Sequence, residues 1–158
     1  MFYTNFNMNR YFFSIILFVL MVNISCKSSK KVFDPATHDK AYLTFGSGGG
    51  FSGKVIKYYL TEDGYLYMQD GDQNVMVGKA PKTMTEQVMG NYDKLGFDKM
   101  DLNEPGNKYL FIERKKDGQT TMIKWGKLPL KNKNVNTYFD VLMSVVKKLK
   151  PQQDNTTK

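Results

Sequence analysis

Residues Tyr109 to Trp125, YLFIERKKDGQTTMIKW, carry the clearest signal for secondary structure in this sequence. Asp117-Gly118 separates two runs that are rich in β-branched and aromatic residues. A two-residue loop of this composition favours a type I′ turn, because both central residues need positive φ and both residue types tolerate it. The resulting register places Ile112 opposite Ile123. The stretch therefore predicts a β-hairpin with one apolar face, which another element must cover.

A second hairpin is predicted upstream, where Asp63-Gly64 separates Lys54–Thr61 from Tyr65–Asp70. Asp70-Gly71 then turns into a further short strand at Asn74–Val77. The strands carry four tyrosines that either pack within the sheet or form a recognition surface: Tyr58, Tyr59, Tyr65 and Tyr67.

Two helices are predicted from apolar residues that recur every three or four positions. The first begins near Thr83, whose spacing to Glu86 matches a capping box, and ends at Gly96. The second extends from about Val135 to Lys150. Its apolar stripe consists of Val135, Tyr138, Phe139, Leu142, Val145, Val146 and Leu149. The order of strands, helix, hairpin and helix favours an α+β fold, with an antiparallel β-sheet of hairpins and two helices packed on one face.

The glycine segment, residues 46–53 (GSGGGFSG), is the candidate binding site. The candidate residues are Gly46, Gly48, Gly49, Gly50, Phe51 and Gly53. Their spacing matches the glycine pattern of nucleotide-binding loops, but a strand follows where such a loop needs a helix. Two interpretations stay open. The segment is either a tight bend with Phe51 on the core, or a loop whose bare backbone N–H groups bind a small ligand or a partner.

The N-terminus differs in composition from the rest of the chain. Tyr11–Ile24 is an uncharged apolar run; as a helix it would reach about 21 Å, short of the roughly 30 Å of a hydrocarbon core. Val22–Cys26 resembles a bacterial lipobox, although Asn23 replaces the usual aliphatic residue. We therefore expect residues 1–25 to be a lipoprotein signal peptide and Cys26 to carry the lipid. An uncleaved anchor helix is the alternative.

The remaining chain divides into a lipidated tether at 26–40, a single α+β domain at 41–150 and a disordered tail at 151–158. No acidic residue closely follows Cys26, so known sorting rules imply an outer-membrane location facing the periplasm. The net charge of +8 indicates either a solvated surface or attraction to anionic partners such as lipid head groups. No aromatic–basic motif is present, so nucleic acid is not an expected partner.

Residue types that support catalysis are sparse. His38 is the single histidine and Cys26 is committed to lipid, so neither a metal site nor a cofactor is predicted. A carboxylate-dependent hydrolase would require Glu104 to converge with Asp101 or Glu113. Sequence spacing does not bring these carboxylates together, and their expected role is in turns and on the surface.

Several motifs together resemble small uncharacterised lipoproteins of Bacteroidota that carry a GSGGGF[ST]G-type segment. They are the glycine segment with Phe45, Asp63–Tyr67, Glu104–Asn107 and Trp125-Gly126. The resemblance implies an envelope location and a folded domain, and it carries no activity. The leading expectation is therefore a membrane-anchored, non-catalytic module that binds an envelope protein or polymer. A small-ligand binder that uses the glycine segment is the alternative.

Overall fold

A computed structural model describes residues 33–126, 130 and 132–150. Within these residues one sheet contains seven strands: β1 (Tyr42–Gly49), β2 (Ile56–Thr61), β3 (Tyr65–Asp70), β4 (Gln73–Lys79), β5 (Asn103–Glu104), β6 (Lys108–Lys116) and β7 (Gln119–Trp125). Helix α1 (Lys82–Lys94) and a 3₁₀ turn (Phe97–Lys99) follow β4, and helix α2 (Lys133–Leu149) follows β7.

The strand order in the sheet is β4-β3-β2-β1-β6-β7-β5. Neighbouring strands are antiparallel, except that β5 runs parallel to β7. This architecture confirms the predicted α+β fold. Strand β1, which the sequence did not indicate as a strand, lies at the centre of the sheet between β2 and β6. The first half of the glycine segment therefore lies in the middle of the sheet.

Both predicted hairpins are present. Asp117 and Gly118 have φ of 51° and 75°, as a type I′ turn requires, and Ile112 lies opposite Ile123 as predicted. In the first hairpin only Gly64 has positive φ, and its N–H donates to the Thr61 carbonyl at 2.9 Å. An Asp-Gly pair thus lies in the turn of each hairpin, and the loop between β2 and β3 is longer than the loop between β6 and β7.

The two helices cover one face of the sheet and enclose the main core. The fully buried side chains of the sheet on this face are Leu43, Phe45, Leu60, Leu66, Ile112, Ile123 and Trp125. Helix α2 packs against them with the predicted stripe, of which Leu149 alone is only partly buried. Each large apolar side chain buried here contributes about 1.5–3 kcal/mol. Helix α2 therefore extends across the sheet, from Trp125 in β7, which donates to Asn136, to Gly78 in β4, which lies beside Leu149.

The start of α1 differs from the prediction. The helix begins at Lys82, and its N-cap is Pro81, with no side-chain hydrogen bond at the cap. Thr83 lies within the first turn, so the predicted capping box is wrong. The predicted end is confirmed, because Gly96 has φ of 71° and its N–H donates to the Asp93 carbonyl at 2.9 Å.

The opposite face of the sheet is partly covered by residues 33–40, which we predicted to be tether. Phe33 is buried and its ring stacks on Tyr67 with 4.8 Å between centroids. Tyr42 and Tyr59 complete this aromatic cluster, and Asn74 Nδ2 donates to the Phe33 carbonyl at 3.0 Å. The structure therefore corrects the domain boundary from residue 41 to Phe33. Residues 26–32 and 151–158 lie outside the described residues.

Candidate functional site

The glycine segment forms the end of β1 and the start of the β1–β2 connection. Gly46, Gly48 and Gly49 belong to β1, and the connection itself begins at Gly50. The expectation of one continuous loop over residues 46–53 is therefore wrong for its first half. The reason is that β6 extends along the whole of β1 and pairs with it as far as Gly49.

Close backbone packing requires glycine at two of these positions. A Cβ atom at Gly46 would lie 1.9 Å from the Ile56 carbonyl oxygen. At Gly49, which has φ of 87°, it would lie 2.2 Å from the Asn107 carbonyl oxygen. Both contacts are far inside van der Waals distance with main-chain atoms that cannot move aside. These glycines therefore have a structural role that explains much of the motif.

The backbone of the segment is largely engaged within the protein. Gly46 pairs with strands on both sides. The Gly50 N–H donates to the Asn107 carbonyl at 2.7 Å, and the Gly53 N–H donates to the Gly50 carbonyl at 3.2 Å. The predicted mode of ligand binding, through bare backbone N–H groups, is therefore not available at Gly50 and Gly53. The segment contributes open space and the Ser47 hydroxyl to a neighbouring site.

That space is a concave site between the end of β1 and the first turn of α2, which we call the glycine pocket. Its volume of about 360 Å³ lies within the range of small-ligand sites. Its apolar wall consists of Tyr109, Leu110 and Trp125. The rest of the lining comprises Ser47, Gly48, Gly49, Lys54, Lys108, Gly126 and Asn136. Gly48 and Gly49 of the predicted site thus line the pocket.

Four side chains in this lining, besides the Tyr109 hydroxyl and the Trp125 indole, can donate a hydrogen bond: Ser47, Lys54, Lys108 and Asn136. Asn136 Oδ1 accepts from Trp125 Nε1 at 2.9 Å, so this contact orients the amide and leaves its Nδ2 group as a donor. Ser47 contributes a hydroxyl, and Lys54 and Lys108 contribute ammonium groups. The donor set suits a ligand group with several acceptor oxygens.

The charge of the pocket is positive. No carboxylate lines it, and Lys54 and Lys108 form no ion pair within the described part of the chain. Helix α2 begins beside the pocket, where Asn132 Oδ1 accepts from the Asn134 N–H at 3.0 Å. The helix dipole adds a further positive potential at this end. An anionic group is therefore the electrostatic complement of the pocket.

Phe51 is the one predicted site residue that is not a glycine, and its side chain is exposed to solvent. Its relative exposure is 110%, so the expectation that it packs on the core is wrong. The connection around it is held by positive φ at Gly50 and Gly53. Phe51 therefore takes no part in the core.

The aromatic residues of the second face are mostly packing residues. Tyr59 and Tyr67 are buried in the cluster with Phe33, and Tyr58 is buried on the helix-covered face. Tyr65 is half-buried. Burial raises the pKa of Tyr59 and Tyr67, and negative neighbours raise it further. The packing interpretation of these tyrosines is thus confirmed, and a recognition surface would have to use other residues.

The carboxylates considered for hydrolysis do not form a site through the sheet. Glu104 lies opposite Trp125 and Glu113 opposite Met122, with β7 between their strands. Three residues along the strand and two strand spacings separate them by about 14 Å. Asp101 is exposed in the segment before β5.

His38, the single histidine, packs against Phe33 and Tyr42. Among residues 33–126, 130 and 132–150, no group of His, Cys, Asp and Glu is placed to hold a metal ion.

Cys26 and the apolar run before it lie outside the described residues. In the part of the chain that the structure does describe, neither α-helix has the length and apolarity to cross a bilayer. No protein-family model matches this chain, and no curated protein matches it significantly.

Sequence reasoning identified the glycines of the pocket but missed its donors. Ser47 and Lys54 are adjacent to the glycines in sequence and could have been included on that ground. Asn136 and Lys108 come from α2 and β6, far away in the sequence, and carry no local motif. The sheet order, with β1 beside β6, brings Lys108 to the glycines, and the hydrogen bond from Trp125 places Asn136 there.

Proposed function

We propose that this chain is a membrane-anchored, non-catalytic binding module of the bacterial envelope, and that the glycine pocket is its binding site. The observation that carries this proposal is a concave pocket in which every polar side chain can donate a hydrogen bond and none is acidic. A carboxylate or phosphate group attached to an apolar moiety complements such a lining. The ligand would be a small molecule or the end group of an envelope polymer.

A pair of isosteric variants tests the pocket. Asn136→Asp keeps the oxygen that accepts from Trp125 but replaces the free amide donor with a negative charge. Asn134→Asp makes the same charge change on an exposed residue of the same helix and serves as the control. A ligand at a hundredfold excess over its Kd stabilises the fold by about 2.7 kcal/mol.

The measurement is the melting temperature with phenyl phosphate, benzoate or uncharged benzyl alcohol. We expect the two anions to raise the melting temperature of the parent and of Asn134→Asp, and to leave Asn136→Asp unchanged. Equal responses to benzyl alcohol, or a full response of Asn136→Asp, would remove the basis of the proposal.

The proposed anchor is a lipid on Cys26, which would hold the module at the outer membrane, facing the periplasm. The lipobox-like residues and the short apolar run support it, and more than one acyl chain gives stable attachment. In cell fractionation, Cys26→Ala is expected to move the protein out of the membrane fraction. Retention of this variant in the membrane would favour an uncleaved helix instead.

A second candidate is binding of an envelope protein or polymer on the uncovered part of the second face. Met122 is exposed there, and Lys124 Nζ lies 5.1 Å from the centre of the Tyr109 ring. Lys57 and Lys124 outnumber Glu113 on this surface, and together with its aromatic residues they suit an acidic polysaccharide. Lys124→Glu should weaken retention on an immobilised acidic polysaccharide, with Lys94→Glu on α1 as control. Equal retention of both variants and the parent would count against this surface.

A further inference from the structure

The connection between β1 and β2 has an exposed apolar tip. We define the tip as residues 50–55. Phe51 at its end is fully exposed, and Val55 is 42% exposed, as is Ile56 where β2 begins. Large apolar side chains grouped at one exposed turn are typical of a binding surface.

The tip is convex and projects beyond the paired part of the sheet. Pairing between β1 and β2 ends at Ser47 and Ile56, whereas β1 and β6 remain paired as far as Gly49. The Gly50 N–H donates to the Asn107 carbonyl, which ties the base of the tip to the start of β6. Phe51 therefore lies on a turn whose first residue is hydrogen-bonded to the chain just before β6.

The tip itself carries only positive charge, and the carboxylate that shares a concavity with Val55 and Lys57 is Glu113 of β6. Lys54 lies within the tip, Lys57 follows in β2, and the side chain of Lys108 passes close to Gly50. No acidic residue occurs between Gly46 and Thr61, and these three lysines form no ion pair among the described residues. Positive charge beside an exposed aromatic residue complements a surface of anionic lipid head groups over an apolar interior.

We propose that this tip inserts into an anionic lipid surface, with Phe51 as the side chain that enters the bilayer. A protein partner fits the observations less well, because a stable protein interface needs roughly 1,000 Å² or more around its anchor residue. The tip and the first residue of β2 offer only one aromatic and two partly exposed aliphatic side chains. Insertion goes beyond the ligand proposed for the glycine pocket and does not depend on its occupancy.

The test uses the full-length chain incorporated into vesicles, with Phe51→Trp as a fluorescent probe. Trp125, which is 1% exposed, gives a constant background in the parent protein. Val141→Trp places the same probe at an exposed apolar position of α2, and is the matched control. Both substitutions are at solvent-exposed positions, so neither is expected to prevent folding.

With phosphatidylglycerol vesicles that contain brominated lipid, we expect the emission at position 51 to shift to the blue and to be quenched. Emission at position 141 should change little, and phosphatidylcholine vesicles should quench position 51 less. Adding Lys54→Gln to the probe variant should lower the ratio of inserted to free tip about fivefold. High salt should lower it as well.

Equal quenching at positions 51 and 141, or none at 51 in anionic vesicles, would overturn the proposal. A photo-crosslinking residue at position 51 in intact cells distinguishes lipid from protein contact. Capture of lipid is the expected result, and consistent capture of one protein would also overturn insertion. Asn136→Asp should leave insertion unchanged, so that failure of the glycine pocket and failure of the tip are separable.

Discussion

At the scale of single residues, the glycine segment combines positions with different physical requirements. Gly46 and Gly49 make room for neighbouring main chain, whereas a Cβ at Gly53 would meet no atom within 4 Å. A glycine pattern in the sequence does not distinguish these cases. The pattern therefore located the pocket and also suggested nucleotide loops to which it does not correspond.

Gly46→Ala is predicted to destabilise the fold by about 3 kcal/mol or more, because the new Cβ overlaps the Ile56 carbonyl oxygen at 1.9 Å. Gly53→Ala is the control. Its φ of 61° costs about 1 kcal/mol of backbone strain and no overlap. Urea denaturation of both variants measures the difference. Equal losses of stability would contradict the structural role assigned to Gly46.

Tyr138 is predicted to make the fold sensitive to alkaline pH. Burial raises its pKa, and its hydroxyl donates to the Val88 carbonyl at 2.9 Å. In the unfolded chain a tyrosine loses its proton near its ordinary pKa of 10.0, whereas the folded chain retains it. The stabilising contribution is therefore complete below that pH and is lost as the pH rises above it.

Tyr138→Phe removes the titrating hydroxyl, so the folded and unfolded chains no longer differ in proton binding at this position. We expect the free energy of unfolding to fall less steeply between pH 10 and 11, by up to about 1.4 kcal/mol per pH unit. At neutral pH the variant should lose about 1 kcal/mol through the missing hydrogen bond. Urea titrations across this pH range measure the slope, and an unchanged slope would contradict the assignment.

At the scale of elements, local signals in the sequence predict the hairpins and the helices well. Asp117-Gly118 specifies both the turn and its register, and the apolar stripe of α2 specifies its buried face. Strand β1 was missed because its last four residues, Gly46–Gly49, form a glycine-rich run. Its strand conformation results from pairing with β2 and β6, which no local pattern reveals.

Residues 33–40 were missed for a related reason. They are polar and contain Pro35, which locally indicates a tether. Phe33 carries the main apolar contacts that dock them, which are with Tyr59 and Tyr67 in other strands, and the Pro35 carbonyl accepts from Lys115 Nζ. A single aromatic residue in a polar stretch gives no periodicity from which packing can be predicted.

Phe33→Ala is predicted to lower the free energy of unfolding by about 3 kcal/mol, because the aromatic cluster loses its central ring. Thr37→Ala, in the same segment, changes an exposed side chain that donates to Asp34 Oδ2 and should cost under about 1 kcal/mol. Thermal or urea denaturation measures both. If Phe33→Ala were as stable as the parent, residues 33–40 would be a tether after all.

At the scale of the whole molecule, the sheet separates three surfaces. The helices cover one face, residues 33–40 cover part of the other, and the glycine pocket opens at the end where β1, β6, β7 and α2 meet. The pocket and the tip are built from the same stretch of sequence but face different surroundings. The proposed ligand site and the proposed membrane contact are therefore adjacent, and Lys54 belongs to both.

The most direct test of the central claim is chemical-shift mapping of the folded protein titrated with phenyl phosphate. We expect saturable shifts of the Asn136 side-chain amide and of the backbone amides of Ser47 and Lys108. Benzyl alcohol should cause much smaller shifts, and Asn136→Asp should abolish the phosphate response. Shifts that do not saturate, or that map to the second face of the sheet, would contradict the assignment of the glycine pocket as the binding site.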